Sequence, residues 1–191
     1  SGNTHFGLLV EIGSTVTPAS GKLTNVKCYD ESGNDLGVWG NESRGVVVTE
    51  VQKKADIKEY EVALNNARRI FVSNDKAVSF KEGDKYYLTY TVAETNGVTG
   101  KNALATTSDR TTEYPYTSGG LKHEDDTAKM LTAGYTYTIC LEVTASGTAY
   151  SITKTDGNNS EEVTLSKSYL TFGKSGNTHF GLLVEIGSTV T

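Results

Sequence analysis

Hydrophobic and polar residues alternate along most of the chain, and a period of two is typical of strands with one buried face. In the clearest segment, Tyr137, Ile139 and Leu141 alternate with more polar residues. Turns rich in Gly, Asn and Asp separate such segments, which favours an all-β fold of antiparallel strands. The pattern predicts strands at 22–29, 36–39, 45–51, 58–64, 69–73, 76–80, 85–94, 135–144, 149–155 and 162–172.

Two stretches depart from this alternation. Residues 59–69 contain four residues that favour a helix, so a short helix competes there with the strand predicted at 58–64. These residues are Ala63, Leu64, Ala67 and Arg68. Residues 95–131 are rich in Gly, Thr, Ser and Asp and show little periodicity. We expect a long surface excursion there, with a short helical turn at 125–131.

The two cysteines, Cys28 and Cys140, would allow one disulfide bond in an exported protein. Their strand parities argue against it. Cys28 shares parity with Val26 and is expected to face inward, whereas Cys140 lies on the face opposite to Ile139. A bridge would need a bulge or a register break, so we expect two separate thiols and keep the bridge as the alternative.

The segment SGNTHFGLLVEIGSTVT occurs at residues 1–17 and again, letter for letter, at 175–191. Natural repeats diverge and tile a chain, so an exact duplication suggests that one copy was added by design to stand for a neighbour's strand. A recent natural duplication is the alternative. In each copy, large apolar residues share one parity of a strand. These predicted donor-strand anchors are Phe6, Leu8, Val10, Ile12 and Val16 in the first copy and Phe180, Leu182, Val184, Ile186 and Val190 in the second.

A strand with one strongly apolar face needs a groove to cover that face. A body that lacked one strand would offer such a groove, since its core would be open and its sheet edges unpaired. We therefore predict a donor-strand extension at 1–17, a β-sandwich body at 18–174 and a second copy of the donor strand at 175–191. Residues 18–21 read as a flexible connection to the body, which favours the first copy as the native one.

A family resemblance rests on three features of the sequence. They are the anchor segment, the body rich in Thr, Gly and Val, and the stretch LTAGYTYTICLEVTASGTAYSIT at 131–153. The chain resembles donor-strand-exchanging extracellular fibre subunits, which include chaperone–usher pilins, fimbrillin-like pilins and archaeal pili or cannula-type tubes. The subfamily stays open. The resemblance implies an antiparallel β-sandwich, Ig-like or jelly-roll-like, that lacks one strand and is completed by a donor strand. It also implies a structural subunit of an extracellular, cell-surface filament or tube, whose partners are identical subunits in a homopolymer.

Charge and hydropathy argue against two other classes of protein, those that bind nucleic acid and those that span a membrane. The formal net charge is −5, and the basic pairs Lys53 with Lys54 and Arg68 with Arg69 lie among acids. Nucleic-acid binding, which needs a basic surface, is therefore not expected. No apolar run approaches the roughly 18 residues of a spanning helix, so we expect no membrane span. No signal peptide is visible at Ser1, and export is therefore inferred indirectly.

The sequence lacks the common catalytic motifs. His179 repeats His5, which leaves His123 as the only other histidine, and no zinc-protease or nucleophile-elbow motif is present. We therefore expect a protein that is not an enzyme. A Ser–His–Asp arrangement around His123 is the alternative, because triads are assembled in space rather than in sequence.

Two kinds of turn are candidates for ligand binding or modification. DESGND surrounds Gly33 with oxygen donors, which would suit calcium, although the same letters make an ordinary hairpin turn. The sequons at Asn41 and Asn158 fall in predicted turns, where N-glycosylation would need them. No other cofactor is expected. The candidate calcium ligands are Asp30, Ser32, Asn34 and Asp35.

The alternative function is that of a β-sandwich adhesin or carbohydrate-binding module. Trp39, Tyr114 and Tyr116 would then line a sugar-binding site. A single Trp beside Gly40 is more often a core or edge residue, however, so the filament subunit is the preferred interpretation.

Overall fold

The computed structural model describes residues 3–10, 20–42, 45–65, 70–96, 101–107, 130–165, 169–171 and 178–185. In this part of the chain almost all regular structure is strand, arranged in two mainly antiparallel sheets, so the predicted all-β class is confirmed. The strands are β1 (Asn3–Val10), β2 (Ser20–Asp30), β3 (Trp39–Gly40), β4 (Val46–Gln52), β5 (Glu59–Asn65), β6 (Ile70–Ser73), β7 (Lys85–Asn96), β8 (Lys101–Thr107), β9 (Thr136–Thr144), β10 (Gly147–Thr155), β11 (Ser160–Glu162), β12 (Tyr169–Thr171) and β13 (Thr178–Glu185).

The larger sheet has the strand order β11–β10–β9–β7–β2–β5–β4, and β12 also pairs with β10. Its central strands show why it forms. In β9, buried and half-buried residues alternate from Tyr137 to Leu141, and β7 buries alternate residues from Tyr86 to Val92. One face of this sheet is therefore apolar and carries most of the hydrophobic core.

Two stacked tyrosines pack in the core next to the start of β9. The rings of Tyr90 and Tyr137 lie 5.5 Å apart between centroids. The Tyr90 hydroxyl donates to the Met130 carbonyl at 2.9 Å, and the Tyr137 hydroxyl accepts from the Thr132 N–H at 3.1 Å. These bonds satisfy buried polar groups and fix residues 130–132 against the sheet.

The opposite face of the larger sheet carries hydroxyl and charged groups. Thr91 and Thr136 share a hydrogen bond of 2.8 Å across β7 and β9. Lys22 lies 3.1 Å from the Glu61 carboxylate across β2 and β5. This face suits solvent, so the apolar face is the one that needs a cover.

The smaller sheet follows the order β1–β8–β13–β6–β3, with further pairings of β1 to β13 and β6. Val72 of β6 is fully buried in the same core cluster as the larger sheet's residues. The two sheets also approach closely at β3, where a Cβ on Gly40 would overlap the Val46 side chain. The two sheets therefore share one core.

A bulge in β2 places Leu23 and Val26, which have opposite parity, on the same buried face. Asn25 has a φ of 52°, and the register between β2 and β5 shifts between Leu23 and Val26. Both Leu23 and Val26 are buried as a result. The prediction for Cys28 is confirmed, since it is buried, whereas Cys140 is only half-buried on the other face. Both thiols are free, so the alternative of a disulfide bond is wrong.

The helix predicted at 59–69 is wrong over the residues described, because β5 runs through Glu59–Asn65. Its apolar residues alternate against β2 and β4, and pairing on both sides overrides helix propensity. Residues 66–69 lie outside the described residues. The excursion predicted at 95–131 is also partly wrong, since β8 occupies Lys101–Thr107. Most of the helical turn predicted at 125–131 lies outside the described residues.

Three predicted strands differ from those observed. The strand at 76–80 is absent because its start is a turn in which the Asp75 and Lys76 N–H groups donate to the Leu36 carbonyl. The strand predicted at 36–39 shares only Trp39 with β3, and the Leu36 carbonyl accepts from the turn at 75–76. The strand at 162–172 appears as β11 and β12, with residues 163–165 in neither.

Candidate functional site

The candidate site is one edge of β6. A strand has two edges, and β3 pairs with one of them, with Trp39 opposite Ser73 and Gly40 opposite Val72. The other edge is paired by both β1 and β13, the two strands that carry the repeated segment. Two identical segments therefore pair with the same edge of β6.

Both copies of the repeated segment pair with β6 in the same register. Val72 stands opposite Leu8 in one pairing and opposite Leu182 in the other. Phe71 stands opposite Leu9 and Leu183, which are also equivalent positions of the two copies.

The pairing with β8 repeats this equivalence. Leu104 is the partner of both Leu8 and Leu182. Thr106 is likewise the partner of both Phe6 and Phe180. We call the space between β6 and β8 the strand slot. Adjacent strands of a sheet are about 4.8 Å apart. A strand that pairs with β6 on one side and with β8 on the other therefore fills the slot, which admits one strand at a time.

The register also assigns a face to the repeated segment. Residues directly opposite each other lie on the same face of a sheet. Leu8 and Leu182 share their row with Val72, which is fully buried in the core. Of the predicted anchors, Phe6, Leu8 and Val10 lie on β1, and Phe180, Leu182 and Val184 lie on β13. The predicted anchors Ile12, Val16, Ile186 and Val190 lie outside the described residues.

A buried polar turn ends β6 beside the slot. Ser73 and Asn74 have no exposed surface. The Ser73 hydroxyl donates to the Asn74 carbonyl at 3.0 Å, and the Asn74 amide donates to the Lys76 carbonyl at 2.8 Å. Since buried polar groups must be satisfied, these bonds define where β6 stops.

Asp35 braces the same turn. Its carboxylate accepts from the Lys58 N–H at 3.2 Å and from the Lys76 ammonium at 3.3 Å. Burial, and then the nearby Asp35 carboxylate, raise the pKa of the Tyr60 hydroxyl to about 12. Hydrogen bonds to the Asp35 carboxylate, whose side chain is only 8% exposed, therefore stabilise the region behind β6.

The candidate calcium ligands form a hairpin turn. The Asp30 carboxylate accepts from the Ser32 N–H at 3.0 Å, the Asn34 N–H at 2.9 Å and the Asn34 amide at 2.8 Å. Asp35 is directed to the turn behind β6 instead. The structure thus brings Asp30 and Asn34 together but separates Asp35 from them. In the described ranges, no group of three or more His, Cys, Asp or Glu residues is arranged to hold a metal ion.

The other predicted sites are dispersed. Asn158 is exposed in a turn where the Asp156 carboxylate accepts from its N–H at 2.8 Å, and Asn41 is half-buried after β3. Trp39 packs partly buried against the core, as an edge residue. Tyr114, Tyr116 and His123 lie outside the described residues.

Among the elements that the structure describes, sequence reasoning missed β8. Its residues KNALATT alternate weakly, and only Leu104 is a large apolar residue. The available signal is the aliphatic and β-branched run Ala103–Thr107 within an otherwise Gly- and Thr-rich stretch. The slot needs β8 as its second wall.

No family model, curated protein or solved structure matches this chain. Within the described residues, no helix has the length and apolar character needed to cross a membrane. The functional argument therefore rests on the geometry of the strand slot.

Proposed function

We propose that the protein is a structural subunit of an extracellular filament or tube that polymerises head-to-tail by donor-strand complementation. One observation supports this above all: two identical segments address one strand slot in one register. Only one can occupy it, so the other is left over for the slot of a neighbouring subunit.

A surplus strand and a strand slot are different surfaces, so their contact is heterologous. Heterologous contacts make rings when the rotation closes and open filaments when it does not. A subunit that gives one strand and receives one therefore propagates a chain of identical partners. We further propose that the fold is a β-sandwich, Ig-like or jelly-roll-like, that lacks one strand. The strand slot is the position of that missing strand.

The energetics favour a durable link. Burying a large apolar side chain contributes about 1.5–3 kcal/mol, so five anchors would contribute about 8–15 kcal/mol before the cost of ordering the strand is subtracted. Ladder hydrogen bonds along both β6 and β8 add to this. The proposed filament subunits would thus stay joined under conditions that separate ordinary surface contacts.

A cell-surface location goes with this proposal. Filaments of this kind act outside the cell, and the exposed sequon at Asn158 lies in a turn that glycosylation could reach.

The test uses chains with one copy each. A chain of residues 1–174 keeps the first copy and should form head-to-tail polymers, because its own copy can be exchanged for that of a neighbour. A chain of residues 18–191 is the reciprocal variant, and the two show by electron microscopy which copy exchanges between subunits. In the matched control, Leu8→Asp in the chain of residues 1–174 should abolish polymers. Strictly monomeric behaviour of both single-copy chains at millimolar concentration would refute the proposal.

A further inference from the structure

The apolar row of the repeated segment does not define its register completely. A slip by one residue would turn the row to the other face of the sheet, so parity excludes it. A slip by two residues keeps the parity, and Phe180 or Val184 would then stand where Leu182 stands opposite Leu104. Since all three are large and apolar, the row by itself admits several registers.

One pair of charges distinguishes these registers. Glu185 is the only residue of the second copy that is charged when histidine is neutral, and Lys101 is the only charged residue of β8. The two stand directly opposite each other. Opposite charges at directly opposed positions stabilise an antiparallel pair, and like charges destabilise it.

Both slips by two residues would remove this pairing. In one direction Leu183 would stand opposite Lys101, and in the other direction Gly187 would do so. Glu185 and Lys101 also have the parity opposite to that of Leu182 and Leu104, so the charge pair and the apolar row occupy alternate positions of the two strands.

We propose that Glu185 and Lys101 are the specificity-determining pair of the strand slot: they select one register among those that the apolar row admits. This inference rests on the proposed function, since it describes how a donor strand is recognised. The first copy carries the same glutamate at Glu11, so a strand from either end, or from a second copy of this chain, meets the same requirement.

The full chain allows the two copies to be compared directly, because two identical segments compete for one slot and the unchanged copy serves as the reference for the altered one. In a chain with Leu8→Cys, Leu104→Cys and Leu182→Cys, and with Cys28→Ala and Cys140→Ser, oxidation can join position 104 to position 8 or to position 182. Directly opposed strand positions lie within disulfide reach. Digestion and mass spectrometry of the monomer band give the ratio of the two bridges.

Glu185→Lys should shift this ratio about fivefold towards position 8, and Glu185→Gln should shift it less. Adding Lys101→Glu to Glu185→Lys should reverse the shift, because the first copy keeps its glutamate and then faces a like charge. The shifts should shrink in 1 M salt.

A companion chain reports the register itself. With Phe180→Cys or Val184→Cys in place of Leu182→Cys, and without Leu8→Cys, a bridge to position 104 should form about fivefold more readily when Glu185 is also changed to Lys. A ratio that ignores Glu185→Lys, or a double variant that does not reverse it, would overturn this inference alone. Absence of both bridges would instead contradict occupancy of the slot and hence the proposed function.

Discussion

Val72→Ala should loosen the strand slot. The Val72 side chain is fully buried and stands at the register position of Leu8 and Leu182. The change removes two methyl groups, worth about 0.8 kcal/mol each in transfer free energy, and leaves a cavity at the joint between the slot and the core. We expect a loss of about 2–3 kcal/mol in the free energy of unfolding.

Val62→Ala is the matched control. Val62 is equally buried, but it lies on β5 of the larger sheet and does not pair with the repeated segment. The same two methyl groups are removed, so the free energy of unfolding measured in urea should fall by a similar amount.

The two variants should differ in how readily the slot opens. A fluorescent peptide of residues 1–17, added to the full chain, enters the slot only when the resident copy leaves. If about half of the cost of Val72→Ala falls on the contact with the resident strand, peptide uptake should accelerate roughly tenfold. Val62→Ala should leave uptake nearly unchanged in native buffer. Equal acceleration by both variants would mean that uptake follows global unfolding, and the assignment of Val72 to the slot would be refuted.

Three further predictions concern the body. Tyr90→Phe removes the 2.9 Å hydrogen bond to the buried Met130 carbonyl and should lower the free energy of unfolding by about 1–3 kcal/mol in urea titrations; an unchanged value would contradict that bond. The pKa of Tyr60 is raised to about 12 in the folded chain from about 10 in the unfolded chain, so stability should be full below pH 10 and decline as the pH rises to 12, and Tyr60→Phe should reduce this decline. A thiol reagent should label Cys140 in the native chain well before Cys28, which is fully buried; equal rates would contradict their assigned faces.

The strands of the larger sheet are predictable because each carries its burial pattern in its own residues. In β9, the parity of Tyr137, Ile139 and Leu141 is enough to locate the strand and its buried face. The bulge at Asn25 is less accessible to such reasoning, since it depends on a left-handed backbone at one residue within a regular pattern. Parity predicts what faces inward but not where a ladder shifts.

The strand slot is only half predictable. The apolar row of the repeated segment is visible in sequence, and so is its need for a cover. Which edge would receive it is not, because that depends on β3 covering one side of β6 and on β8 standing opposite, pairings between residues distant in sequence. Weak local alternation in β8 hides the second wall of the slot.

The two-sided pairing of the repeated segment also determines how the slot would respond to a pulling force. The segment runs antiparallel to both β6 and β8, and antiparallel ladder bonds lie perpendicular to the strands. A load along the strand axis therefore acts on both ladders in shear, so many bonds must yield together instead of opening one after another from an end. The proposed filament would therefore be mechanically strong along its length, and its weakest direction would be the one that peels the strand out of the sheet.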